Sequence, residues 1–464
     1  MTTEQPKFTT GPIFKHISVM TLTASVGLMA IFLVDLVDMI FISMLGKAEL
    51  AAAVGYAGAV LFFTSSFGIG MSIAAGALVA RALGVGDVEM ARRRSATAMT
   101  FGVVIGAIFA GVVWLNVDGL MRLLGASGDT LALGAHYLRI IVPSMPFLMV
   151  GMIGGAILRA HGAARLAMMV TIYGGLMNAI LDPILIFGLD LELTGAAIAS
   201  VAARITMGVG ALIPIYKHYG GLRRPTLFEM RMDSAAIFAI GMPAILTQVA
   251  TPLGQAYVTR AMAAYGEEAV AGMAIVGRLT PVAFGTLFAL SGAIGPIIGQ
   301  NVGAGLKDRV HQAFWGGLAF SAMVAVLVSA LLFGLRGPIV ALFQADGITA
   351  EIVILFCGPL ALAFYFNGVI FVSNAAFNNL GQPFLSTLVN WGRHTLGTIP
   401  FVILGGMWFG AKGVLIGQAF GGFVFAVLAV ILVRRVISRD ELKGHKLSPF
   451  QRQARLMRLF NFRR

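Results

Sequence analysis

Stretches of about twenty apolar residues, the length a helix needs to cross the hydrocarbon of a bilayer, recur along this chain from about residue 17 to residue 433. Nothing else in the sequence limits the fold as sharply. In hydrocarbon every backbone N–H and C=O must be satisfied internally, which leaves helices and closed barrels. Runs this long, without strict alternation, are helical. Breaks in the apolar pattern give twelve spans, roughly 17–42, 54–80, 96–116, 131–156, 166–188, 195–216, 236–262, 270–298, 312–335, 351–375, 385–406 and 413–433. Only 11% of the residues are charged, against about a quarter in a soluble domain. The expected fold class is an all-α polytopic membrane protein with twelve transmembrane helices. The first 17 residues show no small-residue cleavage site behind a short apolar core, so the first span is expected to remain as a membrane helix.

The net charge of +13 reads as topology rather than as a nucleic-acid surface. With the N-terminus inside, the inner segments hold 24 Lys and Arg and the outer segments five. The positive-inside rule then puts both termini in the cytoplasm. The tail after residue 433 carries ten basic residues mixed with Phe, Leu and Met. It suits either an interfacial helix on anionic lipid or a solvated basic end. Cys357 is the single cysteine, so neither a disulfide framework nor a cysteine metal site is expected.

The two halves repeat. RALGVGD at 81–87 aligns with QNVGAGL at 300–306, and RAHGAAR at 159–165 with NNLGQPF at 378–384. LTGAAIAS at 193–200 aligns with AKGVLIGQ at 411–418, and LGKAELAA at 45–52 with YGEEAVAG at 265–272. Six spans, an even number, separate the copies, so the repeat is parallel, with its axis along the membrane normal. The organisation read from this is an N-terminal lobe over 1–216, a cytoplasmic linker over 217–235, a C-terminal lobe over 236–433 and a basic tail over 434–464. Two like lobes suit alternating access.

Of 20 acidic residues, three fall inside spans: Asp35, Asp38 and Asp182. A charge at the centre of a membrane helix costs about 2.5–3.5 kcal/mol on insertion scales, so such groups usually face the bundle interior and often carry ions or protons. In LVDLVDMIF, Asp35 and Asp38 stand at i and i+3, about 60° apart on one face. In NAILDP, Asn178 and Asp182 stand at i and i+4 on one face, offering an amide and a carboxylate together. Such oxygens suit a small hard cation, with Na⁺ at Asp38, Asn178 and Asp182 as the candidate, or a proton on a carboxyl beside an amide. The C-terminal half holds no intramembrane acid. It has Arg393 and His394 in NWGRH, Gln248 in the seventh span and Arg278 at the start of the eighth. Arg393, His394, Gln248 and the extra Asp35 are candidate accessory or substrate contacts.

Taken together, VDMIFISMLGKAELAA, the paired glycine motifs and NAILDP followed by LTGAAIAS resemble the MATE family of multidrug and toxic compound extrusion transporters, over nearly the whole chain. The resemblance implies two six-helix lobes and export of cationic or amphipathic organic compounds in exchange for H⁺ or Na⁺. It places the family's first-span aspartate on Asp38, the fifth-span pair on Asn178 and Asp182, and a sixth-span hydroxyl on Ser200. This coupling set in the N-terminal lobe is similar to that of the DinF-like branch. Two departures stand out. Thr23 occupies the position of a common first-span proline, whose repeat counterpart here is Pro243, and Asp35 is additional.

The leading functional expectation is a secondary antiporter of drug-like small molecules. It would sit among membrane lipids in a bacterial inner membrane, as a monomer, with no nucleic-acid partner and no cofactor beyond H⁺ or Na⁺. The alternative is a lipid or polysaccharide-precursor flippase of related architecture, which Arg278 and Arg393 would suit. An enzyme is not expected. GVGD at 84–87 spells a membrane-protease pattern, but Asp87 lies at a polar turn, and catalytic dyads need both carboxylates in the membrane. No phosphate-binding loop for ATP is present.

Overall fold

A computed structural model describes residues 6–45 and 47–438. The basic tail beyond Ser438 lies outside the described residues. The N-terminal half forms α1 (Ile13–Met44), α2 (Ala48–Val85), α3 (Val88–Leu115), the short α4 (Val117–Leu123), α5 (Gly128–Ile141), α6 (Met145–Ala160), α7 (Ala164–Pro183) and α8 (Glu192–His218). The C-terminal half forms α9 (Leu227–Ala263), α10 (Glu267–Gly303), α11 (Lys307–Leu342), α12 (Gly347–Leu355), α13 (Ala361–Ala363), α14 (Tyr365–Asn379), α15 (Pro383–His394) and α16 (Ile399–Ser438). The protein is an all-helical, multi-pass membrane protein.

Ten helical stretches among the described residues are long and apolar enough to cross a bilayer, and the bent α12–α14 pair makes an eleventh. The twelfth comes from dividing the stretch Pro383–Ser438. At Gly410 the backbone turns through φ 61°, ψ −144° inside α16, a conformation that favours glycine. The arms on either side of this turn pack through glycines. A Cβ on Gly417 would overlap the carbonyl of Phe401, and one on Gly421 the carbonyl of Gly397. Gly413, Gly417 and Gly421 recur every fourth residue, the small-residue ridge that lets membrane helices approach closely.

The repeat is visible in the backbone. Helix starts recur 219 residues apart at Ala48 and Glu267, Val88 and Lys307, Gly128 and Gly347, and Ala164 and Pro383. Positive φ recurs with them at Gly86 and Gly305, Gly128 and Gly347, and Gly162 and Gly381. Both halves break their fourth span. The first break is the 3₁₀ turn at Val142–Ser144 containing Pro143, and the second is the π turn at Phe356–Leu360 containing Pro359. Proline removes a helical donor and clashes with the preceding turn, so kinks gather at it. The described residues divide into two compact units, one of residues 26–83 and 87–241 and the other of residues 6–25, 84–86 and 242–438.

Only residues 219–226 of the polar stretch 217–235 are outside helix. Thr226 and Glu229 form a capping box that starts α9 early: the Glu229 N–H donates to Thr226 Oγ1 at 3.2 Å, and the Thr226 N–H to Glu229 Oε2 at 2.9 Å. This T-x-x-E signature is legible in the sequence. Arg93 of α3 then donates to both Asp233 oxygens, at 3.0 and 3.2 Å, holding the first turns of α9.

In the second unit the N-terminal segment is clamped. The Phe8 N–H donates to Gln300 Oε1 at 2.8 Å, and its carbonyl accepts from Asn301 Nδ2 at 3.1 Å and Arg309 Nη2 at 2.9 Å. Arg309 also reaches the carbonyls of Thr10 and Gly11. The Phe8 ring is buried, edge-on to His16.

Candidate functional site

The first unit brings the N-terminal polar residues together. Glycine sets the closeness of α1 and α7. A Cβ on Gly27 would overlap Thr171 Oγ1, and one on Gly175 would press Val34 at 3.3 Å. With those helices in contact, the carboxyls of Asp38 and Asp182 meet side chain to side chain. Asn178 Nδ2 donates to Asp182 Oδ2 at 3.0 Å, as the i, i+4 spacing predicts. Asp182 is fully buried and Asn178 nearly so. Oδ1 of Asp38 and Oδ1 of Asp182 are buried without a hydrogen-bond partner. Two vacant carboxyl oxygens in one buried cluster can take up a proton or a small cation.

Immediately after Asp182, Pro183 ends the regular helix, and Ile184–Gly188 winds as a π turn. Such turns often mark functional places in helices. Its Phe187 packs edge-on against Phe41 of α1, with ring centroids 5.7 Å apart. Gly195 lets α8 press on the same turn, where a Cβ would lie 2.7 Å from the Leu185 backbone.

Ser200 on α8 joins the cluster through a residue outside the sequence expectation. The buried Tyr137 of α5 lies beside Ser200 and within electrostatic range of Asp38, Asp182 and Arg204. Arg204, one turn beyond Ser200, donates to the Ile141 carbonyl at 3.2 Å and to Ser144 Oγ at 3.1 Å. It thereby satisfies backbone freed by the Pro143 break. The rule that singled out the aspartates, an ionisable side chain inside a span, also points to Arg204. Tyr137 carries no such signal, because a tyrosine in an apolar run looks like packing.

Asp35 stands apart from the pair. It is exposed, one turn before Asp38 on α1. Thr23 leaves α1 without proline, and the helix runs unbroken from Ile13 to Met44. At the repeat position, Pro243 lies within α9, where its carbonyl accepts from Thr247 and Thr387, each at 2.8 Å.

The C-terminal candidates lie in the second unit. Arg393 and His394 end α15, and Arg393 donates to the Asn367 side-chain oxygen on α14. His394 is buried, and neither ring nitrogen has a hydrogen-bond partner. Gln248 is half-buried on α9, and no hydrogen bond among the described residues joins it to Arg393 or His394. Arg278 is exposed on α10. Asp87, the aspartate of GVGD, accepts from the Met90 N–H at 2.8 Å as the N-cap of α3. That is a structural task.

The model of the MatE family matches residues 24–184 and again residues 243–404. The chain belongs to the MatE family. The two matched segments are the two halves of the repeat, and membership makes the protein a transporter and not an enzyme. Among curated relatives, the FAD transporter of Shewanella oneidensis is 28% identical over 432 residues, covering 92% of this chain and 95% of its own. The multidrug export protein MepA of Staphylococcus aureus is 25% identical over 441 residues, covering 94% and 96%. Among solved structures, a variant of the Vibrio cholerae MATE transporter VcmN superposes with a TM-score of 0.88 at 24% identity, covering 93% of this chain and 98% of that one. A Pyrococcus furiosus transporter of the MOP superfamily superposes at 0.87 with 22% identity, covering 95% and 99%. These MatE relatives have the same twelve-helix, two-lobe fold.

Proposed function

We propose that this protein is a secondary antiporter that exports amphipathic or cationic organic molecules in exchange for protons, with the exchange carried by Asp38 and Asp182. The observation behind this reading is the buried meeting of those two carboxyls, each with one vacant oxygen. Asn178 steadies Asp182, and Tyr137 and Ser200 close the cluster from α5 and α8. One carboxyl of such a pair can take a proton that the pair gives up in the other access state. Exchange then follows from mutual exclusion: a protonated pair has lost the negative charge that holds a cationic substrate, and an ionised pair has recovered it. The exposed Asp35 supplies a further negative group one turn along α1. The multidrug export protein MepA supports drug-like substrates, and the FAD transporter supports a wider range. The protein works in a bacterial inner membrane with both termini in the cytoplasm, an orientation supported by the charge asymmetry of its loops.

The test is export from proteoliposomes with a pH gradient and a Na⁺ gradient imposed separately. Export driven by the pH gradient alone is expected. Export driven only by Na⁺ would replace the proton by Na⁺ bound among Asp38, Asn178 and Asp182, and export driven by neither would sink the reading.

A further inference from the structure

The second unit differs from the first where α15 ends. At the repeat register, Arg393 and His394 correspond to Gly174 and Gly175 of α7, which runs on unbroken to Pro183. α15 instead stops at His394, and residues 395–398 lie between it and α16, within a single membrane span. Non-helical backbone at membrane depth is tolerated where protein buries it or where it lines a polar cavity. Broken helices of this kind are where transporters place substrate sites.

The carbonyls that close α15 are satisfied within the break. The Trp391 carbonyl accepts from the Thr395 N–H at 2.9 Å and from its hydroxyl at 2.7 Å, and the Gly392 carbonyl from the Gly397 N–H at 2.8 Å. The Arg393 carbonyl accepts from Thr398 Oγ1 at 2.9 Å. On the side-chain face, Arg393 has the neutral Asn367 as its hydrogen-bonded partner. His394, 5% exposed, has two unpartnered ring nitrogens, and its ring packs against Gly254 of α9, where a Cβ would overlap it. No ion pair to Arg393 is present among the described residues, and from Ile352 to Ser438 the sequence contains no Asp or Glu. A guanidinium inside a membrane span calls for a counter-charge, and this segment of chain does not provide one.

We propose that Arg393, His394 and Asn367 form an oxyanion subsite in the C-terminal half, which takes the carboxylate or phosphate of an amphipathic solute. The planar fork of Arg393 matches two oxygens of such a group, His394 can donate a further hydrogen bond, and the Asn367 amide oxygen fixes the guanidinium plane. A substrate that uses this subsite carries an anionic group, recognised within the second unit. This deepens the proposed export function and rests on it, but it is tested by equilibrium binding, which does not depend on the coupling carboxylates.

Full-length protein in nanodiscs of zwitterionic lipid is titrated with riboflavin and with riboflavin 5′-phosphate, a fluorescent pair that differs by one phosphate. The phosphate form is expected to bind at least about tenfold more tightly, a discrimination within reach of a charge-assisted fork. That preference should vanish in Arg393→Gln and fall to an intermediate value in Arg393→Lys, which keeps the charge and loses the fork. Riboflavin binding by each variant reports that it is folded, and if Arg393→Gln does not fold, Arg393→Lys carries the test. Discs doped with phosphatidylglycerol separate the sources of the oxyanion: weakened phosphate-form binding in wild type but not in Arg393→Gln assigns the site to a lipid headgroup, and no change assigns it to the solute. Equal affinity for the two flavins, no binding of the phosphate form, or a preference unchanged in both Arg393 variants overturns the proposal.

Discussion

Asp182→Asn removes one ionisable group and leaves its packing almost untouched. The side chains have the same shape, and the Asn178 amide that now donates to Oδ2 across 3.0 Å can donate to the oxygen of an asparagine. For a buried residue that keeps its volume and its donor, the folding cost stays below about 1.5 kcal/mol. The cost to coupling is larger. With Asp38 and Asp182 side by side, the pair supplies one exchangeable proton per cycle. A gradient of one pH unit is worth about 1.36 kcal/mol per proton. One-for-one exchange therefore accumulates solute roughly tenfold per pH unit, and two-for-one exchange roughly a hundredfold. An amide at 182 cannot take up the proton, and Asp38 is left without the facing carboxylate with which the pair shares it, so the variant should bring the accumulation ratio to one. The assay uses proteoliposomes one pH unit more acidic inside, with the membrane potential clamped at zero and ethidium fluorescence read at steady state. Wild type should concentrate the dye tenfold, and Asp182→Asn should equilibrate it. A folded Asp182→Asn that still concentrates the dye tenfold refutes the assignment of the proton to this pair.

Tyr137→Phe removes the buried hydroxyl beside Ser200 and should cost at most about 1.5 kcal/mol of stability, with a clear loss of export at unchanged expression. Gly417→Ala pushes a methyl group into the Phe401 carbonyl and should lower stability by about 1–3 kcal/mol, the usual penalty of overpacking. Gly422→Ala, whose added carbon meets nothing within 4 Å, should leave the melting temperature in detergent unchanged. Asp233→Asn leaves Arg93 and Arg94 without their shared carboxylate and should loosen the start of α9 by about 1–3 kcal/mol, seen as faster proteolysis within residues 219–226.

The membrane class, the parallel repeat and the pairing of Asn178 with Asp182 were legible because each leaves a periodic or compositional trace, whereas Asp38 and Ser200 were joined to that pair through the family resemblance. Twenty-residue apolar runs count the spans, and a fixed offset between glycine turns marks the repeat. The i, i+4 spacing puts Asn178 and Asp182 on one face. The helix breaks left weaker traces. Pro143, Pro183 and Pro359 mark where a helix can break, but not whether a 3₁₀ turn or a π turn results. The break between His394 and Ile399 has Gly397 inside it and Pro400 just beyond, whose missing N–H and ring disrupt the turn back to Leu396, but the path the backbone takes there is decided by tertiary packing. Tyr137 was invisible for a similar reason, since a buried tyrosine earns a functional role only from the hydroxyl it happens to meet.

The clamp on Phe8 has a consequence for biosynthesis. Its partners Gln300, Asn301 and Arg309 lie 292 to 301 residues further along the chain. At about 5–20 residues per second, the ribosome takes roughly 15 s to one minute to deliver them. For that interval the Phe8 backbone lacks its Gln300, Asn301 and Arg309 partners, and contacts of such long sequence separation form slowly even when both ends are present. The clamp is therefore a late event, closed only after most of the membrane helices have been made. Its formation, followed by crosslinking residue 8 to residue 300 on stalled nascent chains, would date the moment at which the first segment docks on α10.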